Sequence, residues 1–329
     1  MKYRKLGNSG LNISPIILGA WQYGCERYWG DVPTKDACDV IASAVDKGIN
    51  TIDTAIGYDG SEEIVGKGIQ KIRDKVIVIS KGGADPLKME KRVDISLSRL
   101  NLDVIDLYLV HYPNSSIPIE ETIGGMVRLK EKGKIRHVGV SNFTSEQVRR
   151  ALTVCDIACC QQAYNLMWRE IEDMGTLKVC VEKNVGVLAY SPLGQGLLTG
   201  KIRSAADMPK REGDIRQLTL LFKGEAFTAG LSMVKHLDTL SAKYGKTPAQ
   251  IAINWVVNQT GVTAAIVGSK TLAQLQDNLG ALDWEMEKAD YESLSREGGR
   301  SSKLFDYRYS MFGMKYSEVN VDDMIDSSL

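Results

Sequence analysis

Short apolar runs alternate along the chain with longer stretches in which apolar residues recur every three or four positions. Eight runs predict buried strands: residues 16–19, 50–52, 76–80, 105–110, 135–140, 157–161, 185–190 and 263–267. The helical spacing predicts helices at residues 35–47, 62–70, 89–100, 119–131, 145–152, 171–183, 226–243, 248–258 and 271–282. Strict alternation of this kind implies parallel strands joined by right-handed crossovers. The pattern therefore predicts an α/β protein with a closed (β/α)8 TIM barrel.

Three segments fall outside this alternation. Residues 3–6 and 11–13 flank a polar turn and predict an N-terminal β-hairpin. Residues 191–225 are rich in glycine, proline and charge and are too long for a plain connection, so they predict a long loop with a function at the site. Residues 285–329 form a polar tail with scattered aromatic residues. Two alternatives are open for this tail. It covers the barrel mouth or lies near it, or it is disordered or binds a partner.

An open, doubly wound sheet is the rival architecture. Such a sheet would normally carry a glycine-rich phosphate-binding turn directly after its first strand. Residues 19–24 read GAWQYG and contain no GxGxxG pattern, and the glycine cluster at Gly194, Gly196 and Gly200 follows the seventh strand instead. A single barrel domain spanning residues 1–329 is therefore the preferred interpretation.

Composition narrows the class of function. The 329 residues are 43% hydrophobic, and 41 basic residues balance 41 acidic ones, so no overall basic field would attract nucleic acid or an anionic membrane. The chain has no signal-peptide pattern at its start and no run of about 20 apolar residues, which predicts a cytoplasmic protein. Six cysteines without a CxxC pair predict free thiols, and no metal site is predicted. No sequence feature predicts an oligomeric state.

Candidate chemistry emerges from the ends of consecutive strands. The second strand delivers Asp53 and its loop Tyr58, the third delivers Lys81, and the fourth delivers His111. In a barrel the carboxyl ends of the strands converge on one mouth. A nearby lysine lowers the pKa of a phenol, a carboxylate keeps that lysine protonated, and an imidazole can orient a carbonyl oxygen. Such a set suits carbonyl reduction, in which a phenol protonates the developing alkoxide.

Several motifs carry a resemblance to a known family. They are INTIDTAIGY, SKGG, DLYLVHYP, KIRHVGVSNF, QQAYNL, LAYSPLGQGLLTGK and GSKTLAQLQDNL, in this order. In combination the chain resembles an aldo-keto reductase over nearly its whole length. The resemblance implies that Tyr58 is the general acid/base, that Asp53 and Lys81 tune it, and that His111 places the substrate carbonyl.

The same resemblance implies an extended nicotinamide dinucleotide across the barrel mouth. The residues implied at the nicotinamide are Ser141, Asn142, Gln161 and Tyr190. Those implied at the pyrophosphate are Ser191, Leu193, Gly196 and Lys201. Those implied at the adenosine end are Gly268, Ser269, Lys270, Gln274, Asp277 and Asn278.

The chain departs from the family pattern at four places. Ala163 stands where many relatives carry Glu, and the doubled Gln161-Gln162 leaves the alignment ambiguous by one residue. Gln274 replaces an Arg that pairs with the 2'-phosphate, and Gly268 replaces a Lys. Because Lys270 at a helix N-terminus can compensate, NADP(H) is preferred over NAD(H).

The substrate is predicted only as a class. Trp21 follows the first strand and is expected to form a pocket wall, with Tyr23, Tyr28 and Trp29 in the same loop and Trp168 in the sixth. Aromatic walls suit sugars and flat carbonyls alike. The overall pattern resembles a bacterial branch linked to inositol, sugar or general aldehyde metabolism, so a small carbonyl or alcohol is expected.

Two other functions remain open at this stage. One is a lyase or aldolase in which Lys81 forms a Schiff base with a carbonyl substrate. The other is a slow or non-catalytic barrel subunit that senses NADP(H).

Overall fold

A computed structural model of the chain describes residues 1–326. Its strands are β1 (Arg4–Lys5), β2 (Asn12–Ile13), β3 (Ile16–Gly19), β4 (Thr51–Asp53), β5 (Ile77–Gly82), β6 (Ile105–Val110), β7 (Ile135–Ser141), β8 (Cys159–Ala163), β9 (Gly186–Tyr190) and β10 (Ala264–Gly268). β3 to β10 pair in parallel, each with its neighbour in sequence, and β10 pairs back to β3. β1 and β2 form a separate antiparallel hairpin. The predicted (β/α)8 TIM barrel with an N-terminal hairpin is confirmed.

Helices follow the barrel strands on the outside. In residues 1–326 they are α1 (Glu26–Trp29), α2 (Thr34–Asp46), α3 (Ser61–Ile69), α4 (Met89–Leu100), α5 (Ile119–Glu131), α6 (Ser145–Ala151), α7 (Glu170–Asp173), α8 (Thr176–Glu182), α9 (Ile215–Leu218), α10 (Gly224–Tyr244), α11 (Pro248–Val257), α12 (Leu272–Leu279), α13 (Lys288–Ser302) and α14 (Val321–Asp326). None of them is both long and apolar enough to cross a membrane.

Local sequence accounts for several helix ends. Thr144 caps α6 and Thr247 caps α11, each in a capping box with the glutamine three residues later. α4 ends at Asn101 and α10 at Gly245, both in the left-handed conformation that halts a helix.

The prediction of one continuous helix at residues 171–183 is wrong. The structure has two short helices there, α7 and α8, with Gly175 between them at φ 74°. A left-handed residue cannot continue an α-helix, and glycine adopts this conformation without the penalty that a Cβ imposes.

The C-terminal tail contains a helix that the polar pattern concealed. α13 spans fifteen residues and buries Leu294, Gly298, Ser301 and Ser302. Only one of these is a large apolar residue, so a search for apolar periodicity misses the helix. A Cβ on Gly298 would stand 2.2 Å from the carbonyl oxygen of Leu166, so the helix approaches the backbone after β8 closely.

The N-terminal hairpin fills the barrel interior at the N-terminal ends of the strands. Leu6 and Ile13 of the hairpin join inward-facing side chains such as Ile17, Leu107 and Leu188 in one buried cluster. A larger cluster fills the layer between the strands and the surrounding helices. Because the hairpin packs beneath the strands, the opposite, C-terminal ends of the strands are left for a site.

Candidate active site

Strand alternation brings the predicted side chains into the barrel. Ile79 on β5 and Leu109 on β6 belong to the interior cluster, so the residues two positions further on, Lys81 and His111, point the same way. On β8, Cys159 lies in the interior and Gln161 follows it by two. On each of these three strands, the series of side chains that point into the barrel therefore ends in a polar residue at the mouth, namely Lys81, His111 or Gln161.

Asp53 and Lys81 form a buried ion pair. Lys81 Nζ donates to Asp53 Oδ1 at 2.7 Å and to the backbone oxygen of Thr54 at 2.8 Å. Lys81 is fully buried and Asp53 is 4% exposed. Burial lowers the pKa of Lys81, and the charge and hydrogen bond of Asp53 oppose that lowering. The ammonium of Lys81 is therefore paired with the carboxylate of Asp53 at the floor of the mouth.

Tyr58 lies between this ion pair and His111. Lys81 Nζ lies 4.8 Å from the centroid of the Tyr58 ring, and the Tyr58 hydroxyl lies 3.5 Å from His111 Nε2, a long contact. Asp53, Tyr58, Lys81 and His111 are thus brought together as the sequence predicted.

Burial shifts the pKa values of both Tyr58 and His111. Burial, followed by the charge of Asp53, raises the pKa of Tyr58 well above its ordinary value, the direction opposite to the predicted lowering. Burial and then the charge of Lys81 hold the pKa of His111 well below its ordinary value. Both rings are therefore neutral at pH 7. His111 Nδ1 is buried and has no hydrogen-bond partner among residues 1–326.

The implied nicotinamide residues form one connected set. Asn142 has φ 59°, and its Nδ2 donates to the backbone oxygen of His111 at 2.9 Å and to Ser141 Oγ at 3.0 Å. Its Oδ1 accepts a 2.8 Å hydrogen bond from the hydroxyl of Tyr190.

The two adjacent glutamines of β8 have different partners. Gln161 Nε2 donates to Asp53 Oδ2 at 2.7 Å, whereas Gln162 donates to the backbone oxygen of Phe143. Of the two glutamines, Gln161 faces the mouth.

The loop after β9 is a tight turn built from residues in the left-handed conformation. Ser191, Gly194, Gln195 and Gly196 all have positive φ angles, between 54° and 93°. Within this loop the backbone N of Gly194 donates to the Ser191 oxygen and the backbone N of Gly196 donates to the Leu193 oxygen, both at 3.0 Å. A Cβ on Gly196 would meet nothing within 4 Å, so open space lies above the turn. Leu193 is half-buried and Lys201 is exposed.

At the end of β10, Gly268 makes room for a side chain from the first loop. A Cβ on Gly268 would stand 2.0 Å from Gln22 Nε2, so the Gln22 amide occupies the position of a larger residue. Gln22 Oε1 is buried without a partner in the described part of the chain. Sequence reasoning missed Gln22, whose only signal is its place in the GAWQYG turn.

The other adenosine-end residues are tied to one another and to α11. Asn278 Nδ2 donates to Ser269 Oγ at 3.0 Å, and Gln274 Oε1 accepts from the backbone N of Lys270 at 2.8 Å. Asp277 Oδ1 accepts from Thr247 Oγ1 at 2.9 Å. The structure therefore places Asp277 in a contact with α11.

A basic cluster lies beside Lys270 and was also missed. Arg216 donates to both oxygens of the buried Asp214 at 2.7 Å, and Arg211 Nη2 donates to Asp214 Oδ2 at 3.0 Å. The pKa of Lys270 is lowered by burial and by the charges of these two arginines. Lys270 Nζ donates to the backbone oxygen of Trp29. The charged run KREGDIR within the long loop was the available signal.

Trp21 forms the wall beside the phenol. Its indole stacks on Tyr58 with ring centroids 5.5 Å apart, and it meets Trp29 and Phe312 edge to face at 5.4 and 5.6 Å. Phe312 also lies 6.4 Å from Tyr190 with the two planes only 7° apart. Phe312, from the C-terminal tail, was not predicted at the site.

Two aromatic residues expected in the pocket are core residues instead. Tyr23 is fully buried and its hydroxyl donates to the backbone oxygen of Ser269 at 2.8 Å. Trp168 is fully buried against Phe305 and Tyr307 of the tail. Their position after a strand end could not show which way the rings point.

The fold is a (β/α)8 barrel with Asp53, Tyr58, Lys81 and His111 brought together at its mouth, and comparison with known proteins gives the family. The profile of the Aldo/keto reductase family matches residues 15–296. "Aldo-keto reductase YhdN" of Bacillus subtilis (strain 168) is 35% identical over 312 residues, which cover 90% of this chain and 93% of that protein. The chain belongs to the aldo/keto reductase family.

Two other similar proteins have names that state a function. "NADH-specific methylglyoxal reductase" of Escherichia coli (strain K12) is 31% identical over 325 residues, covering 90% of this chain and 98% of that protein. The structure of the glycerol dehydrogenase AKR11B4 from Gluconobacter oxydans matches with a TM-score of 0.82 at 31% identity, covering 92% of this chain and 97% of that one. The family makes this protein an NAD(P)H-dependent oxidoreductase acting on small carbonyl substrates.

Proposed function

We propose that the protein is an NADP(H)-dependent reductase that interconverts a small aldehyde or ketone with its alcohol, with Tyr58 as general acid/base. The observation that carries this proposal is the place of Tyr58, over Lys81 Nζ on one side and beside His111 Nε2 on the other. When bound, the dinucleotide supplies or accepts the hydride.

The side chains manage the proton and the developing charge. The Tyr58 hydroxyl, protonated at pH 7, donates its proton to the oxygen of the reduced carbonyl. The Lys81 ammonium stabilises the phenolate that remains, and Asp53 keeps that ammonium charged. The neutral imidazole of His111 aligns the carbonyl oxygen with the phenol. In the alcohol-oxidising direction the same groups act in reverse.

The residues present fit a dinucleotide. A carboxamide requires donors and acceptors, and Ser141, Asn142 and Gln161 provide them around one point. The open space at Gly196 leaves room for a pyrophosphate.

The basic cluster supports NADP(H) over NAD(H). Arg211 and Arg216 both bind the single carboxylate of Asp214, and the charges of these arginines reach the nearby Lys270. The surplus positive charge suits a 2'-phosphate, which NAD(H) lacks. The relative from Escherichia coli is named as NADH-specific, so the preference is a property to be measured on this chain.

The substrate we propose is a small aldehyde, ketose or related sugar. Trp21 and Phe312 supply flat apolar walls, while Tyr58 and His111 supply polar groups at the end of the pocket. The two relatives with functional names concern a small dicarbonyl and a small polyol. We further propose that the tail turn carrying Phe312 covers one side of the mouth, and that the protein acts in the cytoplasm.

A panel of carbonyls tests the function. NADPH is expected to bind with fluorescence quenching and to be oxidised when aldehydes, ketoses or sugars are added. Borohydride trapping checks the Schiff-base alternative, since a lyase would yield a covalent adduct on Lys81. NADPH binding without turnover by any carbonyl would favour the sensing subunit and contradict the reductase.

A further inference from the structure

Gln161 holds the side of Asp53 that Lys81 does not. Its Nε2 donates to Asp53 Oδ2 at 2.7 Å, while Lys81 Nζ donates to Asp53 Oδ1 at 2.7 Å. A carboxylate that is 4% exposed is thereby fixed through both oxygens, one by an amide and one by an ammonium. Rotation of the carboxylate would break one of the two hydrogen bonds.

Gln161 is itself held by the sheet. It lies opposite Ser141 in the β7–β8 register, and its backbone oxygen accepts a 3.0 Å hydrogen bond from the backbone N of Asn142. Its side chain is 2% exposed. The neighbouring Gln162 faces the outer layer and cannot replace it. The amide therefore reaches Asp53 from a fixed point on the barrel wall.

The orientation of Asp53 matters because Lys81 is fully buried. Burial disfavours the ammonium, and the nearby charge of Asp53 offsets this penalty by an amount that depends strongly on distance. We propose that Gln161 is a positioning residue, which holds Asp53 Oδ2 so that Oδ1 stays on Lys81 Nζ. This assignment comes in addition to the nicotinamide contact implied for Gln161.

The two roles use different atoms of one amide. Nε2 is engaged with Asp53, and Oε1 has no hydrogen bond within residues 1–326, so it can accept from a carboxamide N–H. Acceptance at Oε1 polarises the amide and strengthens donation from Nε2. Resting on the proposed function, this connects the nicotinamide end of the site to the Asp53–Lys81 ion pair through one side chain.

The test is the titration of Lys81 in the full-length protein without dinucleotide. Isotope-labelled lysine gives an NMR signal that Lys81→Arg assigns. In Gln161→Met, which keeps the length but removes the donor, Asp53 loses its alignment and the pKa of Lys81 falls by about one unit. In Gln161→Glu a carboxyl group stands beside Asp53 Oδ2, and because two carboxyl groups at this distance share one proton, its O–H restores the donor and the pKa of Lys81 does not fall.

Ser141→Ala is the matched control, because Ser141 lies beside Gln161 in the sheet and does not contact Asp53. It is expected to weaken NADPH binding and to leave the titration of Lys81 unchanged. Titrations of Lys81 that equal wild type in both Gln161 variants would overturn the proposal, as would shifts of the same sign in both. The result is independent of the reductase proposal, which fails separately if wild type oxidises no NADPH.

Discussion

The indole of Trp21 stacks on the phenol of Tyr58, with ring centroids 5.5 Å apart and an interplanar angle of 25°. Tyr58 sits in the loop after β4 and Trp21 in the loop after β3, so the two strands present one continuous aromatic surface. The phenol is thus fixed from one side by an indole and from another by the ammonium of Lys81.

Removal of the indole should loosen this arrangement. Stacked aromatic pairs contribute about 1 kcal/mol beyond burial, so Trp21→Ala is expected to lower kcat/KM by roughly fivefold. Trp21→Phe preserves a stacking ring and should retain most of the activity. Steady-state kinetics with one good carbonyl from the panel compares the variants. Equal kcat/KM for Trp21→Ala and wild type would contradict a role for the stack.

The lowered pKa of His111 predicts how stability varies with pH. The unfolded imidazole binds a proton below about pH 6.5, whereas the imidazole in the folded protein has a lowered pKa, so the unfolded state binds more protons as pH falls. Wild-type stability should therefore drop below pH 6.5, relative to His111→Asn, by about 1 kcal/mol per pH unit. Chemical denaturation at a series of pH values measures the difference. A constant difference from pH 7 to 5 would contradict the assignment.

The basic cluster predicts selectivity between the two dinucleotides. Arg216→Gln removes one cation beside Lys270 and is expected to raise the Kd of NADPH by about tenfold or more, because a charge-assisted hydrogen bond is worth about 2 kcal/mol. The Kd of NADH should change little, which makes NADH the internal control. Fluorescence titration gives both constants. Equal weakening of both would place Arg216 away from the 2'-phosphate.

Two adjacent glycines test the packing of α13. Gly298→Ala puts a Cβ 2.2 Å from the Leu166 carbonyl oxygen and should destabilise the protein by about 1–3 kcal/mol. Gly299→Ala meets only an ordinary contact, 3.6 Å from Arg169 Nη1, and should be neutral or stabilising because alanine favours helices. Thermal unfolding distinguishes them. Equal effects of the two substitutions would show that α13 does not approach the Leu166 backbone after β8 as described.

The barrel and the places of Asp53, Lys81 and His111 at its mouth could be predicted because both follow from strand periodicity, whereas Tyr58 lies in a loop and its role was implied by the family resemblance. A period of two fixes that Lys81 faces the same way as Ile79, and parallel strands bring their ends to one mouth. The hydrogen bond from Gln161 to Asp53 could not be predicted, since it depends on the register between non-adjacent strands. The cluster around Asp214 lies in an irregular loop, where no period relates sequence to position.

Burial also changed the electrostatics in a way that residue types could not show. A lysine near a tyrosine suggests a lowered phenol pKa, but desolvation, followed by the charge of Asp53, raises the pKa of Tyr58. In the same way, Tyr23 and Trp168 are residue types that often line a pocket, but both side chains are fully buried in the core.

The most direct measurement of the central claim compares Tyr58→Phe with wild type in NADPH binding and in NADPH oxidation by the best carbonyl. Because phenylalanine keeps the ring and its stacking but has no proton to donate, the Kd of NADPH should be unchanged while kcat falls by about 100-fold or more. Turnover by Tyr58→Phe at the wild-type rate would contradict Tyr58 as the general acid.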